Sequence, residues 1–334
     1  MTAPKLAALA GALFLTMLVP FQAQAVGLFR AYLASDGSDA NPCTLPQPCR
    51  LLPAALAAVD DGGEIWLLDS ANFNTAQVTV SKSVTILAIP GAVGSVVATG
   101  GASGLRIDGA SVVVSLRNLV LVGLGSSVHG VHFFNGAALH VADCEISGMG
   151  NRGIRVDAAG SNTTVRNTVL RDNFVGISAT LANVTLDGLL LKGLTYAVNG
   201  EEGSTISITR SVVSGNTYGA YVTSNTTPSR IAIEHSALTG NSYGLLVATT
   251  SPAGVLHATV RGSTLSQNTT AGVSVTSAIS ATTHTVLSDN VITDNAKGVE
   301  FGVNTPIVYT RQNNVFKFNG SDVFNGTLTV LAAQ

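Results

Sequence analysis

The chain has 334 residues, 46% of them hydrophobic and only 11% charged, which excludes disorder and supplies enough apolar side chain for a large core. Its net charge of −2 argues against nucleic acid as a partner, because that ligand demands a concentrated basic surface.

The N-terminus reads as a processing segment. Lys5 precedes an apolar run over residues 6–19, and Ala23-Gln24-Ala25 places small residues where a signal peptidase reads them. A cleaved signal peptide is expected over residues 1–25, with export to the periplasm or the cell exterior. Its removal takes away Lys5 and no acid, leaving 16 basic and 19 acidic residues and a net charge of −3. No later run of 18 apolar residues follows, so the mature chain is not expected to span a membrane.

Residues 26–62 are expected to form a disulfide loop and a cap. Cys43 and Cys49 flank a compact Pro-containing loop and should pair in an oxidising compartment. The third cysteine, Cys144, falls in a repeat column and reads as a small packed residue. Asp36-Gly-Ser-Asp-Ala-Asn41 offers oxygen ligands but lacks a distal bidentate Glu, so it reads as a braced turn. No metal site and no cofactor is expected. Leu52, Ala55, Leu56 and Val59 follow helical spacing, with Pro53 near the start and Gly62-Gly63 as the stop. This short helix should lie as a lid over the first rung of the strand region. Glu64-Ile-Trp-Leu-Leu68 and residues 78–86 read as strands of less regular early rungs.

From residue 104 a repeat takes over. A small residue followed by alternating apolar positions recurs at Gly104, Gly130, Gly153, Gly176, Ala197, Gly219, Gly244, Gly272 and Gly298. A second column runs in step: Asn118, Cys144, Asn167, Gly188, Ser211, Ser236, Ser263, Asn290 and Asn314. An apolar residue follows each two positions later. A third column holds Asn173, Asn216, Asn241 and Asn295, with Asn268 one residue further from its glycine. Period-2 alternation means strands, and a unit of 21–28 residues holding two or three of them closes into one coil of a parallel β-helix. The expected fold is all-β: a single-stranded right-handed parallel β-helix, a solenoid of about ten rungs over residues 63–334, with a short N-terminal capping α-helix.

The run Ser35-Asp-Gly-Ser-Asp-Ala-Asn-Pro-Cys43, the second cysteine, the Ala-rich helix and Val84-Thr-Ile86 resemble the N-terminus of bacterial secreted right-handed β-helix proteins of the pectin-lyase-like superfamily. The resemblance covers nearly the whole mature chain. It implies the fold and leaves the function open, because this architecture hosts lyases, hydrolases and adhesins. The signatures of polygalacturonase-like enzymes (Asn-Thr-Asp, Gly-His-Gly, Arg-Ile-Lys) do not occur in the rungs, so no catalytic residue is assigned.

The residue two after each small one should point outward, giving the column Arg106, His132, Arg155, Ser178, Asn199, Tyr221, Leu246, Ser274, Glu300. Two residues further on come Asp108, Phe134 and Asp157. The candidate ligand-binding residues are therefore Arg106, Asp108, His132, Phe134, Arg155 and Asp157, suited to an acidic sugar or a sulfate, with Phe134 as a stacking platform. A second charged column, Arg117, Asp143, Arg166, Asp187 and Arg210, alternates in sign and reads as a register device. The functional expectation is an extracytoplasmic β-helix whose ladder surface binds polysaccharide, a cell-surface glycan or another cell-surface partner. The alternatives are a polysaccharide lyase or glycoside hydrolase with a site near His132, and an adhesin-like surface protein.

Overall fold

A computed structural model describes residues 27–331 apart from 73–75, 126 and 305; the expected signal peptide lies outside the described residues. Alternation of buried and open positions decides the architecture. In Leu105–Asp108, Leu105 and Ile107 are fully buried while Arg106 and Asp108 are half-open, and Arg152–Val156 repeats this with Ile154 and Val156 inside. Each strand pairs in parallel with the strand one repeat later. Among the described residues this yields parallel sheets of 13, 11 and 11 strands, wound into a right-handed solenoid of about ten turns. The first sheet runs from Leu28–Leu33 to Thr329–Val330, the second from Val78–Val80 to Ser321–Phe324, and the third from Ala71–Asn72 to Val315–Lys317.

The recurring glycines keep ordinary negative backbone angles, so they are not there to turn the chain. They are there for space. A Cβ on Gly153 would lie 2.7 Å from the Gly176 carbonyl oxygen, and one on Gly219 would lie 2.5 Å from that of Gly244. Backbones of successive rungs approach at this corner too closely for most side chains.

Two polar ladders run through the coil. Asn216, Asn241, Asn268, Asn295 and Asn319 stack on successive rungs, and each Oδ1 from Asn241 onward accepts from the preceding Asn backbone N–H at 3.0–3.1 Å. Asn268 keeps this register despite its extra residue. In the second ladder the Ser211 N–H donates to Ser236 Oγ, Ser236 to Ser263 Oγ and Ser263 to Asn290 Oδ1, at 3.0–3.1 Å. Cys144 belongs to it, its backbone donating to Thr168 Oγ1 at 3.4 Å. It is a free, buried thiol whose pKa burial pushes up to about 11.

The second expected column is corrected at three rungs. Asn118, Asn167 and Gly188 take left-handed backbone angles of 53°, 47° and 67°. Leu119, Thr168 and Leu189 occupy the buried ladder positions instead. One residue of slip swaps faces: Leu121, Leu170 and Leu191 are inside, where Val120, Val169 and Leu190 were expected. The charged column is corrected for the same reason. Backbone register sets Ala142 between Arg117 and Arg166, while Asp143 stands at a left-handed turn. Of the five charges, Asp187 and Arg210 form an ion pair at 2.5 Å.

Cys43 and Cys49 form the expected disulfide, with Cα atoms 4.6 Å apart. Asp39 Oδ1 accepts from the Arg50 and Leu51 N–H groups at 2.9 and 2.8 Å, fixing the helix entry. The helix Leu52–Ala58 buries Leu52, Ala55 and Leu56 over Leu28–Leu33, Val59–Leu67 and Val78–Val80. Gly62-Gly63 is not its stop. The chain turns extended at Val59, and both glycines lie inside the strand Val59–Leu67. Leu28–Leu33, which the sequence pattern left unassigned, pairs with that strand. The parallel sheet thus begins upstream of the disulfide loop. Residues 78–86 form two strands, Val78–Val80 in the second sheet and the start of Val84–Ala88 in the first. At the other end, Phe318, Phe324 and Val330 of the last described rung are exposed. No helix among the described residues is long and apolar enough to cross a membrane.

Candidate ligand-binding face

The core fixes the site. Because Leu105, Val131, Ile154, Ile177 and Val198 pack inward on successive rungs of the second sheet, the residues after them form one file. Register pairs Arg106 with His132, His132 with Arg155, and so on through Ser178, Asn199, Tyr221, Leu246 and Ser274 to Glu300. Leu246 stays in register and half-buried, with no bulge.

The six expected site residues come together, with one change of geometry. Arg106 Nη2 lies 3.0 Å from Asp108 Oδ2, and Arg155 Nε lies 2.6 Å from Asp157 Oδ2. His132 bridges the pairs, with Nδ1 3.3 Å from Arg106 Nη1 and Nε2 2.9 Å from Asp157 Oδ2. Both ring nitrogens of His132 thus contact a charged neighbour. Phe134 departs from the expected file. The register shifts between Phe133 and Asn135, so Asn135 rather than Phe134 pairs with Asp108. Phe134 protrudes as the residue of a bulge, and the Arg106 guanidinium sits 3.8 Å over its ring centroid. One face of the expected stacking platform is already occupied.

Residues that the sequence pattern did not single out extend the cluster. Glu201 lies 3.4 Å from Arg152 Nη2 and 3.8 Å from Arg155 Nη1, and it accepts from Asn199 Nδ2 at 2.9 Å and Thr180 Oγ1 at 3.0 Å. A signal for it existed: Thr180 and Glu201 continue the offset of Asp108, Phe134 and Asp157, four residues after the small one. In the position before the small residue, His129, Arg152, Val175, Tyr196, Tyr218 and Tyr243 are in register. Tyr196 and Tyr218 stack at 4.7 Å and 14°, Tyr218 and Tyr243 at 5.5 Å and 10°, and Tyr221 leans against the first two. Beyond Tyr221, loop residues including Thr223, Thr249, Thr250, Thr276 and Ser277 line a groove of about 450 Å³.

Burial alone would raise the Asp157 carboxyl, but hydrogen bonds from His132 and Arg155 and the adjacent charge outweigh it and bring its pKa to about 2. Burial, reinforced by His132, Arg152 and Arg155, lowers His129 to about 4. Among the described residues nine buried side-chain polar atoms lack a partner. Four of them, His129 Nδ1, Arg152 Nε, Ser178 Oγ and Asn199 Oδ1, belong to this cluster. No group of three or more potential metal ligands occurs among the described residues.

The family described as the right-handed β-helix region matches residues 65–265, and the chain belongs to it. This agrees with the pectin-lyase-like fold that the N-terminal motifs resemble. Among solved structures, the complex of XylC with xylose superimposes with a TM-score of 0.60 at 8% identity, covering 82% of this chain and 70% of that one. The pectate lyase Pel9A gives 0.56 at 16%, covering 90% and 77%. The A-module of the mannuronan C-5 epimerase AlgE4 from Azotobacter vinelandii gives 0.52 at 12%, covering 82% and 91%. At these identities the likeness shows the fold alone. No curated protein sequence matches the chain.

Proposed function

We propose that this protein is an extracytoplasmic β-helix that binds a polysaccharide along the outer face of its second sheet and does not turn it over. The observation that carries the reading is the gathering of Arg106, Asp108, His132, Arg155, Asp157 and Glu201 into one hydrogen-bonded array. Its half-buried charged and amide groups present donors and acceptors side by side, which a hydroxyl-rich chain matches.

Three further points support it. Structures of similar fold include, by their own names, a pectate lyase and a mannuronan epimerase, both named for polysaccharides. His132 is held on both ring nitrogens between Arg106 and Asp157, which suits a fixed recognition surface. The Cys43–Cys49 disulfide suits an oxidising compartment, in keeping with the export expected from residues 1–25.

The test is a glycan-array screen of the protein beside reducing-end and unsaturated-product assays on the same polymers. Binding without turnover, lost in an Arg106→Ala/Arg155→Ala double variant, is the expected result. Turnover abolished by His132→Ala would overturn it and make the face an active site.

A further inference from the structure

The charge arithmetic of the face narrows its ligand. Arg106 is paired with Asp108, Arg155 with Asp157 and Glu201, Arg152 with Glu201, and Lys297 with Glu300. Four cations thus meet four carboxylates within the outward files of the sheet. His132 stands between the first two pairs, with Nδ1 3.3 Å from Arg106 Nη1 and Nε2 2.9 Å from Asp157 Oδ2. A polymer bearing a carboxylate on every sugar would find no net attraction here. It would have to displace Asp108, Asp157 or Glu201 from guanidinium groups they already hold, and the cost of stranding those half-buried carboxylates would offset what it gained.

The continuation of the face points the same way. From the Ala197 rung to the Gly244 rung the outward side chains include Tyr196, Asn199, Tyr218, Tyr221, Tyr243 and Leu246, and the one charge, Glu201, is already paired with Arg152 and Arg155. The stacked rings of Tyr196, Tyr218 and Tyr243 cover one another's faces, so they present edges and hydroxyls rather than flat platforms. These hydroxyls recur along the solenoid axis at the ring spacing of 4.7–5.5 Å. Tyr221, tilted 40–43° from its neighbours, joins this row to the groove lined by Thr223, Thr249, Thr250, Thr276 and Ser277. That groove mixes these hydroxyls with Ala248, Pro252, Ile279 and Val303 and holds no ionised side chain. From the Gly104 rung to the Gly244 rung there are six steps, about 29 Å at the spacing of parallel strands.

We infer that the ligand is an uncharged polysaccharide lying along the solenoid axis, with the tyrosine row and the threonine-lined groove as a second subsite beyond the arginine–carboxylate cluster. This rests on the polysaccharide reading above. It departs from the acidic sugar or sulfate expected from the sequence, where Arg106, His132 and Arg155 stood out and Glu201, the partner of Arg152 and Arg155, did not.

The experiment is isothermal titration of the protein with two neutral polymers, a xylan and a galactomannan, and two acidic ones, polygalacturonate and alginate, each at low and high salt. It is repeated with a Tyr218→Phe/Tyr221→Phe/Tyr243→Phe variant, which keeps the rings and removes only hydroxyls, and with Tyr221→Ala. Thermal unfolding verifies that the variants stay folded. A neutral polymer should bind equally at both salts, since no net charge is neutralised, and the triple variant should weaken it about tenfold, the equivalent of one or two hydrogen bonds. Binding confined to the acidic polymers and weakened by salt would overturn the neutral ligand while leaving the polysaccharide reading intact. Neutral binding insensitive to both tyrosine variants would overturn the second subsite. No binding of any polymer would overturn the polysaccharide reading itself.

Discussion

His132 Nε2 donates to Asp157 Oδ2 at 2.9 Å, and Arg155 Nε reaches the same oxygen at 2.6 Å from the neighbouring position in the file. One carboxylate thereby orders two rungs. Asp157→Asn keeps the shape but removes the charge both partners use. It should cost about 2 kcal/mol, between the values for exposed and fully buried pairs. Urea denaturation checks this, and an unchanged midpoint would mean the array adds nothing to stability.

Acid should act on the fold in two steps. His129 has its pKa lowered from 6.5 to about 4, so the unfolded chain binds its proton first. Stability from keeping His129 neutral is present above about pH 6.5 and is lost as pH falls toward 4. Asp157 is lowered from 3.8 to about 2, so its share is present above about pH 4 and is lost as pH falls toward 2. Thermal melts at a series of pH values should show both declines. A His129→Phe variant should flatten the upper one and leave the lower in place.

The asparagine ladder should be strongest in its interior. Asn268 is buried, donates to Leu238 O and Asn295 Oδ1, and accepts from the Asn241 backbone. Asn268→Ala removes the side-chain partners of Leu238 O and of the Asn241 N–H, while Asn295 Oδ1 keeps the Asn268 backbone N–H, and should cost about 3 kcal/mol. Asn319, on the last described rung, has a smaller set of buried partners and should cost less. Equal losses at both sites, by denaturant midpoint, would contradict the ladder's role.

Cys144 should be chemically silent while the protein is folded. Its thiol is buried and its pKa is pushed up to about 11, so almost no thiolate exists near neutrality. At pH 8 a thiol reagent should label it only after denaturant is added.

The strands of the second sheet were legible because burial of Leu105, Val131 and Ile154 leaves their neighbours nowhere to go but outward, and the Arg106–His132–Arg155 file followed directly. The slips at Asn118, Asn167 and Gly188 had a chemical cause. A left-handed turn and a buried polar ladder draw on similar small and polar residues, and they sit one position apart. The tyrosine row was hidden differently. Tyr196, Tyr218 and Tyr243 precede the small residue at a tight corner, where alternation breaks, so period-2 counting from the glycine never reaches them. Phe134 was misplaced because a bulge adds a residue that no spacing rule in a single strand announces. Glu201 stood at the right offset but beyond the rungs where the charged pattern is densest.

Locating a bound oligosaccharide by crystallography tests the central claim most directly. Difference density for a neutral oligosaccharide should lie along the second sheet, against Arg106, Arg155 and Glu201 and extending toward Tyr221. Ordered sugar on the first or third sheet, with this face unoccupied at saturating ligand, would contradict it.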